Sequence, residues 1–463
     1  MRRALPFLGA FIYFLFMASP GLTTLFSADD MMNMHGYWVK SPWFLIRANL
    51  LVVTSFYRPM GALYYMPLYK LFGLTPLPYR LAIFVFLIIN AWLLYCLGRR
   101  LIGSRLGGGL AVVFGAYHAM CLGAYLSNAV VYDVLCLGFM LGGMLWYVRV
   151  RQKERPLNWK ENIVLLLLFA GAMDSKEMGV TFPAMLLLYE LIWRDWRNWR
   201  PRVAELVPIA LCGLLALGFT LAAMYGPGTL TGYDAYKPMW TVHQFMKTSR
   251  SYAAMLFLKQ DMLRQSTTMI LWAALFAIGA LLRRKEMLFG AAWALVAFLP
   301  LNFLTVREGY ALYISMAGLG IWAAGLVVEL YRRATAKWPV SGIRRDATTA
   351  ALMLVCAFAM LAAHYRYSRH QEEFLRGAQV QTWQVITGLK RLGPHVDKGS
   401  RVLFVDNPWG EGWDMYFIAK LYFNDHDLKV AMMWPGKSIP YGDEHDHFDH
   451  VFRWVNQSMV REK

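Results

Sequence analysis

Charge is scarce in this chain. Of its 463 residues only 16% are Asp, Glu, Lys or Arg, and acids are scarcer than bases, 29 against 47. Ordinary soluble domains carry about 25% charged residues, so the composition argues against the roughly three soluble domains that length alone suggests. Cysteine is scarce too. Cys96, Cys121, Cys136, Cys212 and Cys356 all sit in apolar runs, with no CxxC or CxxH spacing. That disfavours a disulfide scaffold or a zinc framework and leaves them as small core residues. A glycine-rich phosphate loop and internal repeats are also missing. What is abundant is apolar surface: 58% of the residues are hydrophobic, which disfavours a disordered chain and points to lipid as the solvent. The net charge of +18 therefore needs an explanation other than a cytosolic nucleic-acid binder.

Long apolar runs recur through the first 365 residues. They predict eleven membrane spans near 4–26, 79–98, 106–123, 130–148, 161–173, 177–193, 203–224, 265–282, 286–304, 309–330 and 347–365, most close to the ~20 residues that a crossing helix needs. The first run follows Arg2-Arg3 and lacks a small-x-small cleavage site, which reads as a retained signal anchor. Alternate connections carry the bases, as in Arg99-Arg100, Arg149…Arg155, Arg194…Arg202, Arg283-Arg284-Lys285 and Arg332-Arg333. In all, 22 basic residues fall on that side and 12 on the other. The positive-inside rule makes the first side cytosolic, with the N-terminus inside and the C-terminus outside. Most of the +18 is thus a record of orientation.

The expected fold is an all-α polytopic membrane domain over 1–365, with a small extramembrane α/β domain over 366–463. Two outer loops, near 27–78 and 226–264, are long enough to carry function. In the tail, a polar helix (Gln371–Leu392) should end at Gly393-Pro394, followed by a strand at Arg401–Val405, a helix, and a strand near Leu428–Met433. Its 13 bases and 13 acids cancel, and without a phosphate loop it is given no catalytic role.

The first outer loop opens on Asp29-Asp30. Two adjacent carboxylates raise one another's pKa, which suits a general base or a cation ligand; a solvated helix cap is the plain alternative. The rest of the loop is rich in aromatics and Pro, including Trp38, Trp43, Tyr57-Arg58-Pro59 and Tyr64-Tyr65. It should lie along the membrane surface as short amphipathic helices, within reach of a lipid-borne substrate.

At this point the sequence resembles the GT-C superfamily, integral-membrane glycosyltransferases with polyisoprenyl-phosphate sugar donors, and in particular the dolichyl-phosphate-mannose O-mannosyltransferases and their bacterial relatives. Four stretches carry the likeness: Ala28-Asp29-Asp30; Tyr57-Arg58-Pro59 through Leu71-Phe72-Gly73-Leu74-Thr75-Pro76; Asp174-Ser175-Lys176-Glu177 through Pro183 with Leu188-Tyr189-Glu190; and Val306-Arg307-Glu308-Gly309-Tyr310 through Tyr313. In the fourth, Arg and Glu are swapped relative to the family pattern and a Gly intervenes. The resemblance implies transfer of a monosaccharide from a polyprenyl-phosphate donor to a hydroxyl of a protein, lipid or glycan on the periplasmic or lumenal face, most simply of a bacterial inner membrane. It implies inversion, without a covalent intermediate.

Such a reaction needs cations at the departing phosphate, and Arg58, Lys176 and Arg307 are available. It needs a base for the acceptor hydroxyl, with Asp29 the first choice and Asp30 the second. Asp133, Glu177, Glu308 and Tyr310 lie on the same side as supporting groups, since ionisable residues at a membrane boundary gather where they are used. No cofactor is required, although a divalent cation held by Asp30 and Glu177 is compatible with the residues. Membrane lipids are the other expected partners; nucleic acid is not. The alternatives are a transporter or flippase of lipid-linked saccharides, for which repeats and broken helices at mid-membrane would speak, and a non-catalytic membrane scaffold. The loop 226–264, with Tyr233, Tyr236, Trp240 and Arg250, reads either as an interfacial belt or as a cover for the site. His118 reads as a packing residue, Gly107-Gly108-Gly109 as a helix-packing site, and Asp443-Glu444-His445-Asp446-His447 as a solvated turn.

Overall fold

A computed structural model describes residues 5–50, 58–194, 203–225, 236–259, 261–337, 342–410, 412–433 and 447–463. Arg2-Arg3, Tyr57, Tyr233 and the segment Asp443–Asp446 lie outside the described residues.

The chain begins with α1 (Leu5–Ala18), extended by a 3-10 turn to Thr23. It then folds into three short helices, α2 (Ala28–Trp38), α3 (Pro42–Leu50) and α4 (Met60–Phe72), as the aromatic, half-polar sequence of the first loop predicts. α5 (Pro76–Ile102) opens on a proline whose missing N–H costs nothing at a helix start, and stops at Gly103 in the left-handed region (φ 68°). α6 (Arg105–Gly115), α7 (Gly123–Leu126), α8 (Val131–Arg151), α9 (Trp159–Ser175), α10 (Phe182–Trp193), α11 (Val203–Tyr225), α12 (Val242–Leu256), α13 (Gln265–Leu281), α14 (Lys285–Ala297) and α15 (Tyr313–Lys337) follow. α16 (Gly342–Leu392) is 51 residues long.

All eleven predicted apolar runs fall on helices. Among the described residues seven helices have the length and apolarity to cross a membrane: Pro6–Thr23, Pro76–Ile102, Asn128–Arg151, Val203–Ala222, Lys285–Phe303, Gly309–Ala336 and Asp346–Leu392. The other four runs coincide with α6, α9, α10 and α13, of 11, 17, 12 and 17 residues. α9 and α13 match their runs closely, whereas α6 and α10 are shorter because the chain leaves the helix early. The run 106–123 breaks after Gly115, and the run 177–193 begins in a 3-10 turn over Glu177–Thr181. Gly107-Gly108-Gly109 packs as expected: a Cβ at Gly108 would sit 2.7 Å from the Tyr95 carbonyl oxygen on α5. Small residues of this kind let membrane helices approach backbone to backbone.

The helix ends are chemically sorted. α8 carries Asp133 in its first turn and Arg149 and Arg151 in its last; α5 carries Arg99 and Arg100 in its last turn. At the basic end Glu190, from the Leu188-Tyr189-Glu190 stretch, is buried and accepts from the Tyr147 hydroxyl (2.7 Å) and from Arg151 (2.7 and 2.9 Å). It fastens α8 to α10 far from the carboxylate end, and its role there is structural.

Beyond α16 the tail forms β1 (Arg401–Val405), α17 (Asp414–Phe423), β2 (Lys429–Met432), β3 (His450–Val455) and β4 (Ser458–Arg461) in one sheet of order β2-β1-β3-β4. β1 is parallel to β2 and β3, and β4 returns antiparallel on β3. The last two strands add to the predicted unit. α16 runs without a break through position 365, so the transition from apolar to polar sequence falls inside a single helix. Its polar part is pinned to the first membrane helix: Arg376 donates to the Pro20 carbonyl (2.8 Å), and Gln379 joins the Leu25 N–H to the Leu126 carbonyl. α17 packs on α2, where the Trp38 indole N–H donates to Asn424 Oδ1 (3.2 Å) and the Tyr69 hydroxyl to the Leu421 carbonyl (2.6 Å).

Arg80, fully buried in the first turns of α5, holds the carboxylate end together. Its guanidinium donates to the Gly21 carbonyl (2.6 Å), the Asn128 side-chain oxygen (3.0 Å) and the Tyr125 carbonyl. Arg80→Met removes a donor from three acceptors; Gly21 keeps Thr24 and Asn128 keeps Tyr64, while the Tyr125 carbonyl loses its side-chain partner, and a buried unpaired acceptor costs about 1–3 kcal/mol. The expected result is a fall of several degrees in the unfolding midpoint of the solubilised protein; an unchanged midpoint would show that these bonds do not hold the fold.

Candidate active site

Four connections converge at the carboxylate end. Arg58 precedes α4, Asp133 opens α8, Lys176-Glu177 joins α9 to α10, and Arg307 and Tyr310 precede α15. Arg58, Asp133, Lys176, Glu177, Arg307 and Tyr310 all line one cavity of about 40 Å³, with Tyr236 and Met178. Six of the nine residues singled out from sequence thus meet, although they come from widely separated parts of the chain.

Their geometry is that of interlocked ion pairs. Arg58 makes a two-pronged contact with Glu177, at 2.8 and 3.2 Å. Lys176 Nζ lies 2.9 Å from Asp133 Oδ2 and 5.6 Å from the centre of the Tyr310 ring. The Arg307 guanidinium sits 4.3 Å from the centre of Tyr236. Three cations face two carboxylates here, leaving one net positive charge for an incoming anion. Because every cation is already oriented by a partner, little reorganisation is needed when negative charge develops. Tyr236 brings the second outer loop over Arg307, so that loop is part of the site's wall; Trp240, by contrast, is exposed and packs on Phe303 at 4.7 Å.

The carboxylate pair stands apart from this cavity, and its two members differ. Ser27 caps α2 by accepting from the Asp30 N–H, while Asp30 Oδ2 accepts from the Ser27 N–H (2.8 Å) and hydroxyl (3.0 Å). This reciprocal capping box satisfies two helix-end donors at once. Asp30 is fully buried, and its Oδ1 faces the Tyr65 hydroxyl at 3.4 Å. Burial pushes its carboxyl up to about 6, against the opposing pull of the Ser27 bonds and of Arg80. Asp29 is exposed, yet enough protein surrounds it to raise its carboxyl as well. Asp414, at the start of α17, is raised by burial and by the nearby Asp29 charge, so the tail contributes a third carboxylate beside the pair. Asp29 is the member free to meet a substrate. Glu308 is exposed and outside the cavity lining.

Between the pair and the cations lies a tyrosine layer that the sequence did not announce. Tyr65 stacks on Tyr37 (5.9 Å), and the Tyr37 hydroxyl donates to the Arg58 carbonyl (2.7 Å) and shares a hydrogen bond with the Tyr132 hydroxyl (3.0 Å). Arg58 also lies over the Tyr132 ring at 5.0 Å. Its φ of 52° is a left-handed value that non-glycine residues avoid. The next turn must be Gly61, because a Cβ there would fall 2.3 Å from the Tyr37 hydroxyl. Tyr37→Phe removes the bond that fixes the Arg58 backbone. About 1 kcal/mol of lost positioning corresponds to a five- to tenfold lower kcat/KM, roughly, with the melting temperature nearly unchanged. Wild-type kinetics in this variant would show that Arg58 is held without it.

As for a metal, both oxygens of Asp30 face Ser27 and Tyr65, and both oxygens of Glu177 face Arg58. Among the described residues no group of three His, Cys, Asp or Glu is placed to hold an ion. His118, read as a packing residue, is buried, with Nε2 3.2 Å from the Leu256 carbonyl.

Comparison with known proteins bears on the family and the fold. Residues 58–225 match the profile of the dolichyl-phosphate-mannose-protein mannosyltransferase family. No curated protein sequence matches the chain. Among solved structures the chain is similar to ArnT from Cupriavidus metallidurans in the apo state, with TM-score 0.56 and 15% identity over 93% of this chain and 85% of that one. It is also similar to the same protein bound to undecaprenyl phosphate, with TM-score 0.52 and 13% identity over 94% and 86%. Residues 58–225 thus resemble the dolichyl-phosphate-mannose-protein mannosyltransferase family, and the chain as a whole shares the ArnT fold.

Proposed function

We propose that the chain transfers a monosaccharide from a polyprenyl-phosphate donor to an acceptor hydroxyl, with inversion, on the face of the membrane opposite the basic helix ends. The observation that carries this reading is the cavity in which Arg58, Lys176 and Arg307 face Asp133 and Glu177. A phosphate that bears one negative charge in the donor and gains a second as the sugar leaves is matched by a net positive site. ArnT, whose fold this chain shares, has been solved with undecaprenyl phosphate, which supports the choice of donor.

The chemistry follows from charge flow. The bond between the anomeric carbon and the phosphate oxygen breaks, and its electrons pass to the phosphate, where Arg58, Lys176 and Arg307 stabilise them. The acceptor oxygen attacks the opposite face of the sugar and gives its proton to Asp29, the exposed carboxylate. Asp30 anchors α2 and fixes where Asp29 stands. A cavity of about 40 Å³ is far below the roughly 300–1,000 Å³ of a small-ligand pocket. Donor entry therefore requires the wall to open, and Tyr236, which lies over Arg307 at 4.3 Å, is a side chain placed to move.

Eleven crossings, the N-terminus inside and the tail on the site's face complete the reading, supported by the sorting of basic and carboxylate helix ends. The test is transfer by the purified protein from an undecaprenyl-phosphate monosaccharide to a panel of hydroxyl acceptors. Transfer by wild type that survives unchanged in Asp29→Asn would overturn the role of Asp29. Movement of the lipid between leaflets without any transfer would point to a transporter instead.

A further inference from the structure

A second, larger cavity lies between the first outer loop and the tail. It is a groove of about 1290 Å³ at the ends of α2 and α4, closed by the last turns of α16 and the end of α17. A pocket for a small ligand is about 300–1,000 Å³, so this one is large enough for several linked rings. Its chemistry is one-sided. Lys40, Lys70 and Lys390 line it, and no Asp or Glu does, although the bases and acids of the tail cancel. No ion pair neutralises these lysines among the described residues. The indole of Trp383 stands in the same wall, and Trp38 is stacked on His426 at 3.7 Å there; flat aromatic surface next to polar groups is what sugar rings pack against.

The groove is connected to the site by α17, which starts at Asp414 beside Asp29 and ends in the groove wall at Leu421–Asn424. We infer that this groove holds an anionic oligosaccharide, phosphate- or carboxylate-bearing, as the distal part of the acceptor, so that its terminal hydroxyl reaches Asp29. The inference rests on the glycosyltransferase reading. It also gives the tail domain a share in acceptor binding, since half of the groove is built from it.

The experiment is a binding titration on the full-length solubilised protein, without donor. The probes are lactose 6′-phosphate, lacturonate, lactose and inorganic phosphate. At low ionic strength the charged disaccharides should bind at least tenfold more tightly than lactose, and the advantage should shrink as salt is added. Lys70→Glu/Lys390→Glu should abolish the preference, and Trp383→Ala should weaken both charged sugars while leaving their advantage over lactose. Equal affinity for charged and neutral sugars, absence of binding by any of them, or a preference that survives charge reversal would each overturn the inference. Inorganic phosphate that competes as well as the phosphosugar would reduce the groove to a bare anion site and overturn it too. Asp29→Asn should retain the binding while losing transfer, so failure of the groove and failure of the proposed reaction give different results.

Discussion

Asp29→Asn is expected to lower sugar transfer by about 10²–10⁴-fold, the usual contribution of a positioned general base, with little change in stability. Asp29 is exposed on the first turn of α2 and makes none of the capping bonds. Its neighbour should behave in the opposite way. Asp30→Ala removes the acceptor of both bonds from Ser27 and should act first on stability, with activity lost in proportion to misplacement of α2. The pH dependence separates them further. Asp29 must be ionised to accept a proton, so activity rises with pH, and its raised carboxyl puts that rising limb above the pH of an ordinary aspartate. The limb should vanish in Asp29→Asn. For Asp30 the folded value of about 6 exceeds the ordinary 3.8. The stability linked to its proton is therefore complete below pH 3.8 and falls as pH rises through about 6. A flat midpoint across that window would contradict the burial of Asp30.

Lys176→Met should be the most damaging single change at the cation cluster. It takes one of three positive charges from the departing phosphate, for which a loss of at least about 10²-fold in kcat is expected by analogy with removal of one charge-stabilising donor. It also leaves Asp133, only 1% exposed, as a buried charge without its partner, at a cost of about 3–5 kcal/mol. The two effects can be pulled apart. Lys176→Met/Asp133→Leu removes both members of the pair and should recover most of the stability, while transfer stays lost. If the double variant regains transfer along with stability, Lys176 serves the fold and not the phosphate.

Much of this site could be read from the sequence because lipid is an unforgiving solvent. Arg58, Asp133, Lys176, Glu177 and Arg307 stand at the ends of apolar helices, where ionisable groups persist only if they meet partners, and the alternation of basic connections assigns them to one end. The features that stayed hidden have specific causes. The Ser27-x-x-Asp30 spacing is a capping-box signature, but the adjacent Asp29 makes the two acids look like a single unit. Arg80 looks like one more basic residue at a membrane edge, since nothing local tells that three acceptors from distant segments will close on it. The β3–β4 hairpin turns on Asn456 and Gln457, both at positive φ (51° and 58°), without the glycine that usually marks such a turn. The boundary drawn at 365 follows a change of polarity, which a helix ignores; α16 continues until Gly393-Pro394 gives the backbone a reason to stop.

That unbroken helix makes the placement of the tail an angular problem. At 1.5 Å and 100° per residue, its 51 residues form a shaft about 77 Å long, and the grip of Arg376 and Gln379 on the first membrane helix sets its phase. One residue inserted between the apolar stretch and Arg376 would turn everything beyond by about 100°, carrying α17 off α2 and Asp414 away from Asp29. Seven residues, nearly two full turns, would restore the heading while raising the tail by about 10 Å. Length variation in this shaft is therefore tolerable only in steps close to whole turns, a constraint of clockwork more than of chemistry.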